Sequence, residues 1–112
     1  MAVFRMYTGD DGHSHIEDQA LSSHPILSTE QSTAHITFRE MEAGFFMDWH
    51  NAPRRQYVII LGGQMEIGFN DGTKRRFHPG DAILASDLTG SGHTTKSAGD
   101  GPALVGVVPL AE

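Results

Sequence analysis

Histidine gives this chain most of its chemical potential. The 112 residues include seven His and no Cys, so a thiolate nucleophile, a thiolate metal site and a disulfide are all excluded. An imidazole can move a proton near neutral pH, and it is also a good ligand for Zn, Fe, Ni or Mn. His13 and His15 have the spacing of a ligand pair, although the Gly and Asp around them are typical of a solvated loop. His15 is the better candidate for a site because Glu17 and Asp18 follow it.

Two consecutive arginines, Arg54 and Arg55, could bind an anion. A guanidinium is a planar fork that pairs with a carboxylate or phosphate at two points. Neighbouring side chains on a strand face opposite ways, so we expect one arginine to point inward as an anion clamp. The alternative is a pair of exposed turn residues that balance an acidic first half, since residues 1–53 hold eight acids and two bases and residues 54–112 hold six of each.

Charge and motif content exclude several classes of function. The net charge of −6 leaves no basic face for nucleic acid and argues against binding to anionic membranes. No apolar run reaches the roughly 18 residues of a membrane span, and the first residues lack the layout of a signal peptide, so a cytoplasmic location is expected. There is neither a Gly-x-Ser-x-Gly elbow nor a phosphate-binding glycine loop.

The frame that must position these side chains is predicted to consist of β-strands. Thirteen Gly and five Pro are too many for a helical bundle. The alternation in Ala34–Phe38 and the apolar run Tyr57–Leu61 predict strands, and Asn70-Asp71-Gly72 predicts a hairpin turn. Seven or eight such strands predict one all-β domain, a sandwich or a barrel. Residues 1–33 are expected to pack on a barrel formed by residues 34–112.

One stretch resembles the first motif of the cupin family. Gly44, His50, Ala52, Gln56 and Gly63 follow one another at the intervals of that motif, Gly-x5-His-x-His-x3–4-Glu-x6-Gly. The glycines and the first histidine keep their places. The second histidine of the motif is replaced by Ala52, and its glutamate is replaced by Gln56.

A second cupin-like stretch follows the hairpin. Pro79-Gly80-Asp81 opens it, and His93 stands where the family has its last histidine. Together the two stretches cover residues 44–97. Three segments are also similar to a subgroup of small, uncharacterised cupins: 12–18, 48–56 and 87–93. The resemblance implies an antiparallel jelly-roll β-barrel with a site in its interior.

The resemblance also implies a metal site, from which the chain departs at two of four ligands. Metal-binding cupins supply two His and one Glu from the first motif and one His from the second. One divalent ion (Zn, Fe, Ni or Mn) could be held here by His50, Gln56 and His93, with His15 as a fourth ligand. The alternative is a metal-free cavity in which the two histidines bond to each other, to Asp48 or to water.

Two functions remain open at this point. In the first, the chain is a small-molecule enzyme of the isomerase, lyase or oxygenase type, with His50 and His93 as catalytic residues. Its substrate is a small, anionic metabolite, and the substrate-binding candidates are Arg54, Arg55, Asp48 and Asp87. In the second, the same cavity binds or senses a small ligand without catalysis and without metal.

A homodimer is the expected assembly. Phe45, Met47 and Trp49 alternate with Asp48 and His50, which predicts an apolar stripe on the outer face of this strand. Such a stripe needs a cover, and a second copy of the chain can supply it.

Overall fold

Turn residues divide the described part of the chain into ten short strands. In the computed structural model, which describes residues 2–112, the described residues contain one helical element, the 3₁₀ turn Pro25–Ser28. The strands are β1 (Val3–Thr8), β2 (Ser14–Asp18), β3 (Thr37–Met41), β4 (Phe46–His50), β5 (Gln56–Gly62), β6 (Met65–Gly68), β7 (Lys74–Phe77), β8 (Ala82–Ser86), β9 (His93–Ser97) and β10 (Ala103–Pro109). The prediction of an all-β domain is therefore confirmed.

The strands form two sheets that face each other. One has six strands in the order β2-β1-β8-β5-β10-β3, and the other has four in the order β4-β9-β6-β7. All pairs are antiparallel except β1 with β8. Across the described residues, the edge strands of one sheet do not pair with those of the other. The predicted antiparallel β architecture is thus confirmed, but its two sheets are not closed into a barrel, because alternation identifies strands but not which edges will join.

The core lies between the sheets. Its largest fully buried apolar side chains come from both of them: Met6, Ile60, Ile67, Phe77 and Ile83. Phe4 of β1 meets Phe77 of β7 edge to face, with ring centroids 5.1 Å apart. This arrangement is favourable for aromatic pairs, and it ties one sheet to the other.

The first two strands, β1 and β2, are part of the six-stranded sheet. β1 runs parallel to β8 and antiparallel to β2, so it lies inside the sheet. The following loop returns along the opposite edge, where Thr33 bridges Leu110 and Gln31 accepts a hydrogen bond from Tyr57. The hairpin predicted at Asn70-Asp71-Gly72 joins β6 to β7, and Gly72 has a φ of 88° there. No described helix has the length and hydrophobicity needed to cross a membrane.

The apolar stripe expected on β4 is not formed as predicted. Met47 points into the protein and Phe45 packs against the core, whereas Trp49 is 49% exposed. Further exposed apolar side chains lie on the outer face of the six-stranded sheet. There, Phe38 and Leu61 flank Gly106, and they are 66% and 46% exposed.

The homodimer stays a prediction, and we now expect this outer face to form its contact. A solvent-facing side of an antiparallel sheet is normally polar, so Phe38 and Leu61 expose apolar area that is unusual there. A second copy of the chain that covers them would remove this area from water, which is favourable. Light scattering of the protein at tens of micromolar, a concentration at which a dimer of roughly micromolar affinity forms, should give about twice the chain mass of 12.2 kDa. Phe38→Glu should give a monomer. Ile26→Glu, at a residue 63% exposed in the 3₁₀ turn, should not. A monomeric wild type would contradict the prediction.

Candidate functional site

A cavity of about 100 Å³ lies between the two sheets. Its wall is mainly apolar, and it includes every methionine of the described chain: Met6, Met41, Met47 and Met65. The polar side chains in its lining are Arg39, His50, Gln56, His93 and Thr95. The lining contains neither Asp nor Glu. A few convergent polar groups in an apolar pocket are typical of a small-molecule site.

A β-bulge places both Met47 and His50 of β4 in this cavity. Met47 is paired with Thr95 and His50 with His93, so β4 spans three residues where β9 spans two. In a regular strand, Met47 and His50 would face opposite sides of the sheet, because they are three residues apart. The bulge turns both inward and leaves Trp49 outside. This explains why simple alternation assigned Met47 to the outer face.

His50 is held as a neutral imidazole with a defined tautomer. Its Nδ1–H donates to the carbonyl oxygen of Asp48 at 2.7 Å, so the lone pair lies on Nε2. Burial lowers the pKa of His50 below its ordinary 6.5, and the positive form of His93 would lower it further. The hydrogen bond to Asp48 and the charge of Asp87 only partly oppose this shift. At neutral pH the ring is therefore an uncharged proton acceptor.

His93 is oriented by a buried carboxylate. Its Nδ1–H donates to Oδ2 of Asp87 at 2.5 Å, and the same oxygen accepts a hydrogen bond from the hydroxyl of Ser14 at 2.6 Å. Asp87 is fully buried, and its Oδ1 has no hydrogen-bond partner among the described residues. Because Nδ1 is used in this way, the free nitrogen of His93 is Nε2. The rings of His50 and His93 are in contact, with centroids 4.4 Å apart.

The glycine-rich loop at residues 87–92 fixes the distance between the two histidines. A Cβ on Gly92 would overlap the carbonyl oxygen of His50, and one on Gly90 would overlap that of Gly12. Both glycines have positive φ values, which other residues adopt at a cost. The loop is thus clamped between the end of β4 and the β1–β2 turn. The three segments that resemble the small cupin subgroup, 12–18, 48–56 and 87–93, are therefore in contact around this loop.

The structure brings His50, Gln56 and His93 together in the lining of one cavity. Ala52 is 6% exposed and lines the same cavity, so residues 50 and 52 contribute to one wall. Asp87 is also close, but it lies behind His93 and outside the lining. Its position suits it to orienting His93 rather than to touching a substrate, which corrects its assignment as a substrate-binding residue.

The other sequence candidates lie outside the cavity. Arg54 is exposed, and Arg55 pairs with Glu112 instead of turning inward, because the turn at residues 53–55 precedes the first residue of β5. The Asp48 side chain is exposed and accepts a hydrogen bond from the backbone of Trp49. The anion clamp expected at these positions is therefore not formed around the cavity.

His15 belongs to a different surface. Its Nε2 lies 2.9 Å from Oδ2 of Asp11, in a polar hollow between β2 and the β6–β7 hairpin. It does not line the cavity that holds His50 and His93, so it is not positioned to be their fourth ligand.

Sequence reasoning missed Arg39, the cation that does line the cavity. In a half-buried strand, the alternation in residues 34–39 would by itself place the apolar Ile36 and Phe38 inside. In the structure Ile36 and Phe38 are 54% and 66% exposed, while Arg39 and Met41 line the cavity. The signal that could have found this is Met41, which is 7% exposed. Met41 lies two residues after Arg39, so on a strand the two side chains point to the same side.

The donors in the cavity do not fit a divalent metal. Zinc sites take at least three protein ligands, usually His, Cys, Asp or Glu. The described residues contain no group of three such side chains. His50 and His93 are two donors, Gln56 adds only a weak amide oxygen, and Ala52 adds none. The ligand set implied by the sequence resemblance is therefore incomplete in the folded chain.

Comparison with known proteins identifies the fold. No family model matches the chain, and no curated protein matches it significantly. Solved structures do match. The polyketide cyclase RemF from Streptomyces resistomycificus aligns over 96% of this chain and 73% of its own, with a TM-score of 0.59 and 15% identity. A cupin domain from Bordetella pertussis aligns over 75% and 88%, with a TM-score of 0.56 and 13% identity.

A third match is named a sugar phosphate isomerase from a cupin superfamily, from Silicibacter pomeroyi. It covers 91% of this chain, has a TM-score of 0.51 and is 18% identical, and the chain spans 61% of its length. The architecture and these matches define the class of protein: the chain has the cupin fold. It is a small cupin-fold protein with two histidines, His50 and His93, in the lining of its cavity.

Restoring the missing histidine should create a metal site. Ala52→His adds a third imidazole to the wall that His50 occupies, so affinity for Zn²⁺ should rise at least tenfold, equivalent to about 1.4 kcal/mol. Competition with a chromophoric chelator measures this affinity. Ala52→Asn, which is similar in size and a poor ligand, is the control. If Ala52→His stays folded and gains no affinity, the side chains at positions 50 and 52 do not converge.

The low pKa of His50 should appear in the pH dependence of stability. The folded chain binds fewer protons than the unfolded chain between the folded pKa and the ordinary value of 6.5. The neutral form of His50 therefore favours folding fully above pH 6.5, and the free energy of unfolding decreases as the pH falls below 6.5 towards the folded pKa. Unfolding free energies at about pH 7.5 and about pH 5 should differ less in His50→Gln than in wild type. His35→Gln, at an exposed position, should behave like wild type.

Proposed function

We propose that the chain is a small-molecule enzyme of the isomerase or lyase type, which moves a proton at a carbon next to a carbonyl group. Its substrate is a small, anionic molecule bound between the two sheets. The cupin fold supports a site in this cavity, and one observation carries the proposal. Two imidazoles are in contact in an apolar cavity, each has its Nδ1 engaged, and neither Nε2 has a hydrogen-bond partner among residues 2–112.

His93 is the base in this proposal. Its Nε2 takes the proton from carbon, which gives an enolate and an imidazolium. The Asp87 carboxylate, 2.5 Å from Nδ1, stabilises the imidazolium without itself taking the proton. Ser14 donates to that carboxylate and holds its direction. The proton then returns to a neighbouring atom of the enolate, or to the same carbon.

His50 is the partner that keeps the pair at a single positive charge. Its lowered pKa leaves it neutral, so it does not repel the imidazolium of His93. Its ring is less buried than that of His93, and it can pass a proton between His93 and solvent. The apolar wall strengthens these electrostatic effects because it keeps bulk water away.

Hydrogen–deuterium exchange tests the proposal without knowledge of the product. 2-Oxobutanoate and 2,4-pentanedione, both with acidic C–H bonds, are incubated with the protein in D₂O, and the loss of their C–H signals is followed by NMR. We expect exchange on at least one probe, with His93→Gln lowering the rate by about 10²–10⁴-fold. Asp87→Asn should also lower it, because the asparagine cannot stabilise the imidazolium.

His35→Gln is the matched control, since His35 is exposed and lies outside the cavity lining. An exchange rate in His93→Gln equal to that of wild type would overturn the proposal. Binding of the probes without exchange would favour the non-catalytic binding or sensing function.

A further inference from the structure

Arg39 is the one permanently charged side chain in the cavity lining of the described chain. Among the described residues it forms no hydrogen bond or ion pair. Four other arginines are each paired with a carboxylate: Arg5, Arg55, Arg75 and Arg76. Arg54 is exposed outside the lining. A cation without a counterion beside an apolar cavity is a natural partner for an anionic ligand.

The position of Arg39 places such an anion at the mouth of the cavity. Arg39 lies on the edge strand β3, opposite Val105 of β10. Val105 and Met41 are buried in the wall, whereas Arg39 itself is exposed. The aliphatic stem therefore lies along the apolar wall and the guanidinium reaches water. A ligand held there has its charge at the mouth and the rest of its structure inside.

The chemistry of the lining favours a carboxylate over a phosphate. A single guanidinium balances one negative charge, and the lining offers neither a lysine nor a second arginine for a phosphate dianion. The chain's net charge of −6 adds repulsion that grows with ligand charge. The cavity, about 100 Å³, is also well below the roughly 300–1,000 Å³ of pockets that hold larger ligands.

We propose that the ligand is a short-chain monocarboxylate of the 2-oxo acid class, with its carboxylate bound at two points by Arg39. Its apolar chain lies among the methionines, and its acidic C–H bond faces the histidine pair. The reaction part of this assignment rests on the proposed function, whereas the binding part does not. Arg39 is then the residue that determines specificity for charge, and the histidines determine the reaction.

The test compares one ligand with and without its charge. Binding of 2-oxobutanoate, its methyl ester and inorganic phosphate is measured by NMR titration of the protein. Wild type should bind the acid at least tenfold more tightly than the ester, and phosphate more weakly than the acid. Arg39→Gln should abolish the preference for the acid and leave ester binding unchanged. Arg39→Lys should retain part of that preference, because it keeps the charge but not the planar fork.

Arg54→Gln is the matched control, because it removes the same charge from an exposed residue outside the lining and should bind like wild type. Equal affinities of wild type for acid and ester, or an undiminished preference in folded Arg39→Gln, would overturn the inference. Tighter binding of phosphate than of the acid would also overturn it.

The two proposals fail in different ways. If the acid binds through Arg39 without deuterium exchange, the inference about the ligand stands and the proposed reaction is wrong. If the ester exchanges its C–H protons as fast as the acid does, the reaction stands and the role of Arg39 is wrong.

Discussion

A carboxylate without access to water must be compensated by its neighbours, and Asp87 is such a group. It has no exposed surface, and one of its oxygens takes hydrogen bonds from both Ser14 and His93. An ionised group in this position is costly unless its partners are held in place. The hydrogen bonds of Asp87 therefore join the start of β2, the end of β8 and the start of β9. The position of β2 and the orientation of the candidate base His93 thus depend on the same buried carboxylate.

The cavity owes its composition to irregular backbone as well as to regular strands. The bulge in β4 turns Met47 and His50 to the same side, and Gly92 lets the loop pass close to the His50 carbonyl oxygen. Regular sheets would give a continuous apolar core at this point. These two departures from regularity instead bring a pair of imidazoles into an otherwise apolar space, next to the buried Asp87.

The sequence was informative where chemistry depends on spacing. His50, Ala52, Gln56 and His93 do line one cavity, because the strand period and the cupin-like intervals fix their direction. The residues that were misplaced depend on features without a clear local signal. A bulge reversed Met47, a turn kept Arg55 out of the cavity, and β3 faces the opposite way from the one its apolar pattern indicated, which hid Arg39. Closure of a barrel depends on edge pairing between distant strands, which periodicity cannot determine.

The methionine side chains in the cavity wall affect which ligand shapes fit and how the cavity responds to oxidation. Four unbranched thioether side chains, Met6, Met41, Met47 and Met65, can change rotamer at little cost and fit ligands of somewhat different shape. The same sulfur atoms are chemically soft. Peroxide converts methionine to a polar sulfoxide, and in this wall each oxygen added would face an apolar neighbour. Oxidation of these side chains would thus make the cavity more polar while leaving its two imidazoles in place.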